Sequence, residues 1–290
     1  MKFTTALRAL AAAAALAGVS APALAGYQIV DGWQITIPGF THGTPASDTY
    51  KNIGHLVLGG GTATVTQQVN GSGNAFVGAL FTETGTVNSV TYVSENVIGN
   101  GDNGSQKIFG VGPDGEAYSL ELAFNNVGGY VDSLVGSGFH YTFTSGNYSL
   151  NAIINGVSTS VAGGSIIGLG GDTSTTNVIG GTTGSSTVLA AVANQLFGFD
   201  VADSTGTSLA SGFANNQYLF QATTTNTVNA NSGTGAACPF VSGPSTCVQL
   251  QVTSEGALNV VKAIPEPASL ALVGLALAGA GVIRRRKTQA

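Results

Sequence analysis

Between residues 26 and 264 the chain alternates apolar and polar side chains in short runs broken by Gly, Asn and Ser. That is the pattern of antiparallel strands with one buried face. The clearest case is 148–154, then Asn155-Gly156, then 157–161. Asn-Gly is the preferred pair for a two-residue hairpin turn, because both central residues need positive φ. Closure there pairs Ile154 with Val157, Ala152 with Thr159 and Leu150 with Val161 on an apolar face. Ile153 with Ser158 and Asn151 with Ser160 fall on the other face. Only Ile153 and Thr159 break the division, so turn chemistry and side-chain pattern select one register. Similar alternation marks 62–69, 118–124 and 139–143, with Pro113-Asp114-Gly115 as a turn. These runs predict an all-β body, an antiparallel β-sandwich or jelly roll. Val188, Val192, Leu196 and Phe199 fall at helical spacing, so a short helix competes with a strand over 187–199. Segments 170–186 and 223–237, rich in Gly, Thr and Asn, read as long loops, the first a possible boundary in an otherwise single domain.

The two ends lack this alternation. Lys2 and Arg8 precede an apolar run at 9–19, and Ala23-Leu24-Ala25 gives a small-x-small cleavage pattern before Gly26. This predicts a secretory signal peptide over 1–25, removed on export. At the other end Pro265, Glu266 and Pro267 precede an uncharged run of 16 residues, 268–283, followed by Arg284, Arg285, Arg286 and Lys287. The prolines stop a helix from running upstream. As a helix the run spans about 24 Å, short of the roughly 30 Å hydrocarbon core. The basic block supplies a stop on the negative cytoplasmic face, which predicts a transmembrane helix at 268–283 with the preceding chain outside. The expected parts are thus the leader, an exported β domain over 26–262 and a tail over 263–288.

The tail resembles the PEP-CTERM sorting signal of Gram-negative bacteria, a Pro-Glu-Pro motif followed by a short transmembrane helix and an Arg-rich terminus. Pro265, Glu266 and Pro267 occupy the motif positions, and nothing in the tail departs from the pattern. The resemblance implies an exosortase partner after Sec export, a transient stay in the inner membrane and release to the cell surface or extracellular matrix. Such proteins accompany exopolysaccharide production, and some are linked to biofilm formation and flocculation. Family members share the tail while their bodies differ, so the body must be read from its own residues.

Its charge is one-sided. Lys51, Lys107 and Lys262 face thirteen Asp and Glu, which leaves 26–264 at −10. A body with so few cations cannot neutralise phosphates, so nucleic acid is excluded as a partner. The surface must be built from Ser, Thr, Asn, Gln and Gly, which suits contact with polysaccharide. Cys238 and Cys247 reach an oxidising compartment on export and are expected to form a disulfide. Closing so short a loop stabilises by about 2–3 kcal/mol.

Catalytic patterns are missing. His42, His55 and His140 show no metal-ligand spacing, and no Gly-x-Ser-x-Gly elbow or Walker loop occurs. Two Gly-x-Gly-x-x-Gly matches, at 99–104 and 110–115, lack the following helix that a dinucleotide site requires. Asn100, Asp102 and Asn103 lack the closing Glu of an EF-hand loop. Glu83, Glu95, Glu116, Glu121, Asp102, Asp132, Asp200 and Asp203 are scattered, and a glycosidase would need two of them across a cleft. The expectation is a non-catalytic surface or matrix protein with no cofactor and no metal. The alternative is a lectin-like module using Trp33, Tyr27 and Tyr50 as a platform, although Trp33 alternates with Ile35 and Ile37 as a core residue would.

Overall fold

The computed structural model describes residues 26–40, 49–87, 89–94, 106–107, 109–111, 117–175, 177–178, 181–240 and 246–264. The leader with Ala23 and Ala25, His42, the 100–103 loop, the motif at 265–267, the apolar run 268–283 and the basic block 284–287 lie outside the described residues.

The first strands are β1 (Tyr27–Ile29), β2 (Trp33–Thr36), β3 (Thr49–Val69), β4 (Leu80–Val87), β5 (Ser89–Ser94), β6 (Gln106–Lys107) and β7 (Phe109–Val111). They are followed by β8 (Ala117–Val135), β9 (Gly138–Ile154), β10 (Val157–Gly168), β11 (Gly170–Thr173) and β12 (Thr182–Gln195). The chain continues through β13 (Asp200–Ala202), a short helix α1 (Ala210–Ala214), β14 (Tyr218–Ala237) and β15 (Thr246–Ala263).

Strands β3, β4, β8, β9, β10, β12, β14 and β15 pair side by side in that order, and β15 pairs back onto β3 from Leu258 opposite Leu56 to Thr246 opposite Val69. These eight strands therefore close into an up-and-down barrel. The all-β antiparallel expectation holds, but the strands form one ring in place of two stacked layers. Long strands in meander order never cross to a second sheet, and the β15–β3 ladder satisfies backbone groups that an open sheet leaves at its edges. Bulges between Glu83 and Gly85, Ser160 and Ala162, and Gly163 and Gly164 add the local twist that closure needs.

The hairpin at Asn155-Gly156 forms as expected, with φ of 49° and 80°. Ile154 pairs with Val157, Ile153 with Ser158, Ala152 with Thr159 and Asn151 with Ser160. Beyond Ser160 the register slips by one, and Leu150 pairs with Ala162, not Val161. The bulge keeps both Val161 and Ala162 buried, at 1% and 2% exposure. No helix forms at 187–199, where β12 runs to Gln195. A spacing of four is even, so Val188, Val192 and Leu196 satisfy a strand's period of two as well as a helix's period. Phe199 joins the core after the exposed turn at Phe197 and Gly198. Most of 223–237 is strand β14 and most of 170–186 belongs to β11 and β12, with Thr183, Thr223, Thr225 and Thr227 exposed on the outer face.

Apolar plugs fill both ends of the barrel. Trp33, Ile35 and Ile37 pack with Phe199, Phe213 and the inward residues Leu56, Leu120 and Phe220. At the far end of β3, Val69 packs with Ala75, Ala79, Val131, Phe139 and Val248. The expected disulfide is present: Cys238 and Cys247 join with Cα atoms 5.2 Å apart, at the end of the β14–β15 hairpin. Replacing both by serine should lower unfolding stability by about 2–3 kcal/mol, read as a shift in the urea midpoint without a change in slope. An unchanged midpoint would mean that the loop is equally restrained without the bond.

Candidate functional site

Strand β4 reads Leu80-Phe81-Thr82-Glu83-Thr84-Gly85-Thr86-Val87. Its even positions carry threonine, so Phe81, Glu83 and Val87 share the inward face. Gly85 is required on that face, since a Cβ there would lie 2.7 Å from the Phe124 ring and 2.5 Å from the Thr62 carbonyl oxygen. Glu83 sits between Val65 of β3 and Val127 of β8. It lines two chambers, of about 100 Å³ and about 70 Å³, whose walls together draw on all eight barrel strands. Glu83 keeps a minority of its surface open and lines both chambers.

A polar belt divides the chambers. Ser254 Oγ donates to Asn226 Oδ1 at 2.8 Å and Thr224 Oγ1 donates to the same oxygen at 3.1 Å. Asn226 Nδ2 donates to Ser186 Oγ at 3.3 Å, and Ser186 Oγ lies 2.6 Å from Thr224 Oγ1. Tyr141 points its hydroxyl at the Ser185 carbonyl, 3.4 Å away, and packs edge-to-face with Phe81 and Phe143. Glu83 makes no hydrogen bond among the described residues. Burial without a partner pushes its carboxyl up to about 7. Burial also pushes the Tyr141 phenol above its ordinary value, helped by the Glu83 charge, so it stays neutral.

The sequence pattern alone did not single out Glu83, which stood among several scattered carboxylates. Its parity with Phe81 and Val87 was the available signal. Among the described residues no second carboxylate lines either chamber. Glu121 accepts from Asn151 at 3.1 Å, Asp200 accepts from Ser208, and Asp203 holds its own turn through Thr205 and Thr207. No carboxylate pair lines the chambers among the described residues, and Glu95, Asp102 and Glu116 lie outside those residues.

His140 lies on a sheet face as expected and ties three strands together. Its Nδ1 is 2.9 Å from Asp172 of β11, and its Nε2 is 3.6 Å from Asp132 of β8. The slight burial of Asp132 pushes its carboxyl up, but hydrogen bonds from Thr142 and Ser133 and the nearby imidazole outweigh it and hold the group below its ordinary value. Among the described residues no group of His, Cys, Asp and Glu could hold a metal ion. The aromatic platform does not form: Trp33 and Tyr50 are 0% and 1% exposed.

The outer wall is different in kind. Thr86, Thr62, Thr253, Thr227 and Thr183 stand opposite one another on five consecutive strands. Parallel rungs follow: Thr84, Thr64 and Gln251, then Thr82, Thr66 and Gln249. Strand geometry spaces such a lattice by about 4.8 Å across and about 6.8 Å along. Thr62, Thr183, Thr227 and Thr253 are exposed, and Gln251 donates to Thr64 at 3.3 Å. The rungs carry no charge.

Beyond β15, residues 263–287 match the family described as the PEP-CTERM protein-sorting motif. The chain carries a PEP-CTERM sorting signal. The matched segment contains Pro265, Glu266 and Pro267 together with Arg284, Arg285, Arg286 and Lys287. PEP-CTERM signals are processed by exosortase, and this protein is exported and passes through a membrane. No helix among the described residues is long and apolar enough to cross one. The PEP-CTERM segment starts at Ala263, the last residue of β15, and the next residue, Ile264, donates its backbone N–H to the Gly26 carbonyl at 2.9 Å. The expected leader-cleavage point and the start of the sorting signal thus lie side by side. No curated protein and no solved structure matches this PEP-CTERM protein.

Proposed function

We propose that this PEP-CTERM protein is a non-catalytic surface or matrix component whose outer wall associates with exopolysaccharide, supporting biofilm or flocculation. Sec exports it, the tail holds it briefly in the inner membrane, and exosortase processing sends it on to the surface or matrix. The threonine lattice on β4, β3, β15, β14 and β12 carries the reading. An uncharged array of hydroxyls, curving with the barrel wall, offers donors and acceptors together, and it matches a polymer rich in hydroxyls without needing counter-charge. The interior chambers among the described residues, about 100 Å³ and about 70 Å³, are too small for a sugar chain.

Co-sedimentation with the producing strain's own exopolysaccharide tests this. The chain should pellet with the polymer, and a triple change of Thr62→Glu, Thr227→Glu and Thr253→Glu should reduce the pelleted fraction at least fivefold. Those side chains are exposed, but Thr253 stands opposite both Thr62 and Thr227, so like-charge repulsion should lower the melting midpoint, and pelleting is read well below it. Equal pelleting of the two proteins would remove the wall from the proposal. Release of reducing ends from the polymer by the purified chain would remove the word non-catalytic.

A further inference from the structure

The larger chamber combines an apolar wall with two polar groups that have no partner among the described residues, the Glu83 carboxyl and the Tyr148 hydroxyl. Leu122, Phe124, Val127, Leu150, Phe220 and Leu258 supply much of the wall. In the belt, Asn226 Oδ1 already accepts twice and the Ser186–Thr224 pair is closed on itself. The Glu83 carboxyl accepts nothing among the described residues, although it borders both chambers. Among the described residues no Lys, Arg or His lines either chamber. Facing Glu83 are Val65 from β3, Val127 from β8, Tyr141 and Phe143 from β9, Ser186 from β12 and Asn226 from β14, and only Tyr141 among them can titrate. A buried carboxyl without a partner is costly, and natural sites keep such groups for a ligand or for chemistry. Among the described residues the only other ionisable groups lining the chambers are the Tyr141 and Tyr148 phenols, which burial keeps neutral, so chemistry has no second participant.

The geometry points to the barrel interior as a binding site for a small primary alkylamine, its tail in the larger chamber and its ammonium group on the Glu83 carboxylate. The ammonium supplies the positive charge that the chamber walls omit and brings its own hydrogen-bond donors to the carboxylate. Size sets the tail: an apolar cavity of about 150 Å³ holds benzene, so a chamber of about 100 Å³ takes roughly a four-carbon chain. The site is independent of the outer wall, and either can fail alone.

Calorimetric titration of the full chain with n-butylamine and with n-butanol provides the test. At pH 8 the amine should bind saturably, and at least tenfold more tightly than the alcohol, which has the same length but no charge. Glu83→Gln should lose at least tenfold in amine affinity and leave the alcohol unchanged. Binding of the cation requires the ionised carboxylate, so lowering the pH from 8 to 5.5 should weaken the amine about thirtyfold in the parent and not in the variant. Amine binding no tighter than alcohol binding, or unaffected by Glu83→Gln, overturns the inference, as does no binding at all. Amine against alcohol on the unaltered chain decides the matter even where the variant fails to fold.

Discussion

Trp33→Ala should cost about 3–5 kcal/mol of unfolding stability, the largest loss expected from any single change in the body. Trp33 is 0% exposed and sits in the plug that fills one end of the barrel, against side chains from β2, β3, β13 and α1. Truncation removes most of an indole's buried area and leaves a void that the surrounding ring of strands cannot collapse into. The ring nitrogen contributes nothing to offset this, since Trp33 Nε1 is buried with no hydrogen-bond partner among the described residues. Trp33→Phe should therefore be much milder, at about 1.5 kcal/mol or less, because it loses volume without losing a hydrogen bond. Urea unfolding of the two variants checks the pair. If Trp33→Ala unfolds like the parent, the plug is not part of the cooperative core. Polysaccharide retention should survive Trp33→Phe, which separates the core role of Trp33 from any platform role.

Glu83→Gln should stabilise the protein above neutral pH by about 3 kcal/mol, the second large effect. The folded-state carboxyl, at about 7, lies above its ordinary value of 4.5 because burial disfavours the charge. Between those values the folded chain holds more protons than the unfolded chain. Stability therefore falls as pH rises from 4.5 to 7, and above 7 the whole penalty is in force. Glutamine has the same shape and no charge to desolvate. The difference in unfolding free energy between variant and parent, followed from pH 4 to pH 9, should start near zero, grow through that window and level off. A flat difference would place Glu83 in contact with solvent. Taking the difference also cancels groups common to both chains, including Asp132 and Asp203, whose lowered values act at lower pH.

Glu83 also shows where sequence reading stops. The Thr82, Thr84 and Thr86 alternation assigns its face, yet the same alternation would hold in a sheet whose inner side meets water. Only closure of β15 onto β3 puts that face in an enclosed space and turns an ordinary carboxylate into a partnerless one. The threonine rungs behave likewise. Each Thr-x-Thr run is legible in its own strand, but the five-strand row depends on registers set by contacts up to 191 residues apart, such as Thr62 with Thr253. In the hairpin at Asn155-Gly156 the turn residues fix the first four pairs, and the slip at Ser160 answers to the curvature of the whole ring. The 187–199 segment was ambiguous for a simpler reason: a four-residue spacing suits both periods, and pairing with β10 and β14 decides between them.

By itself the sequence determined what depends on neighbours along the chain: an all-β antiparallel body, the Asn-Gly turn, a disulfide between two nearby cysteines and the PEP-CTERM address at the end. Turn conformation, side-chain parity and short-loop closure act over a few residues, so local order suffices to specify them. Tertiary structure decided the closed ring, the chambers around Glu83 and the alignment of threonines across strands. Those follow from strand pairing between distant segments, where many registers satisfy the same alternation and only the packed interior selects one.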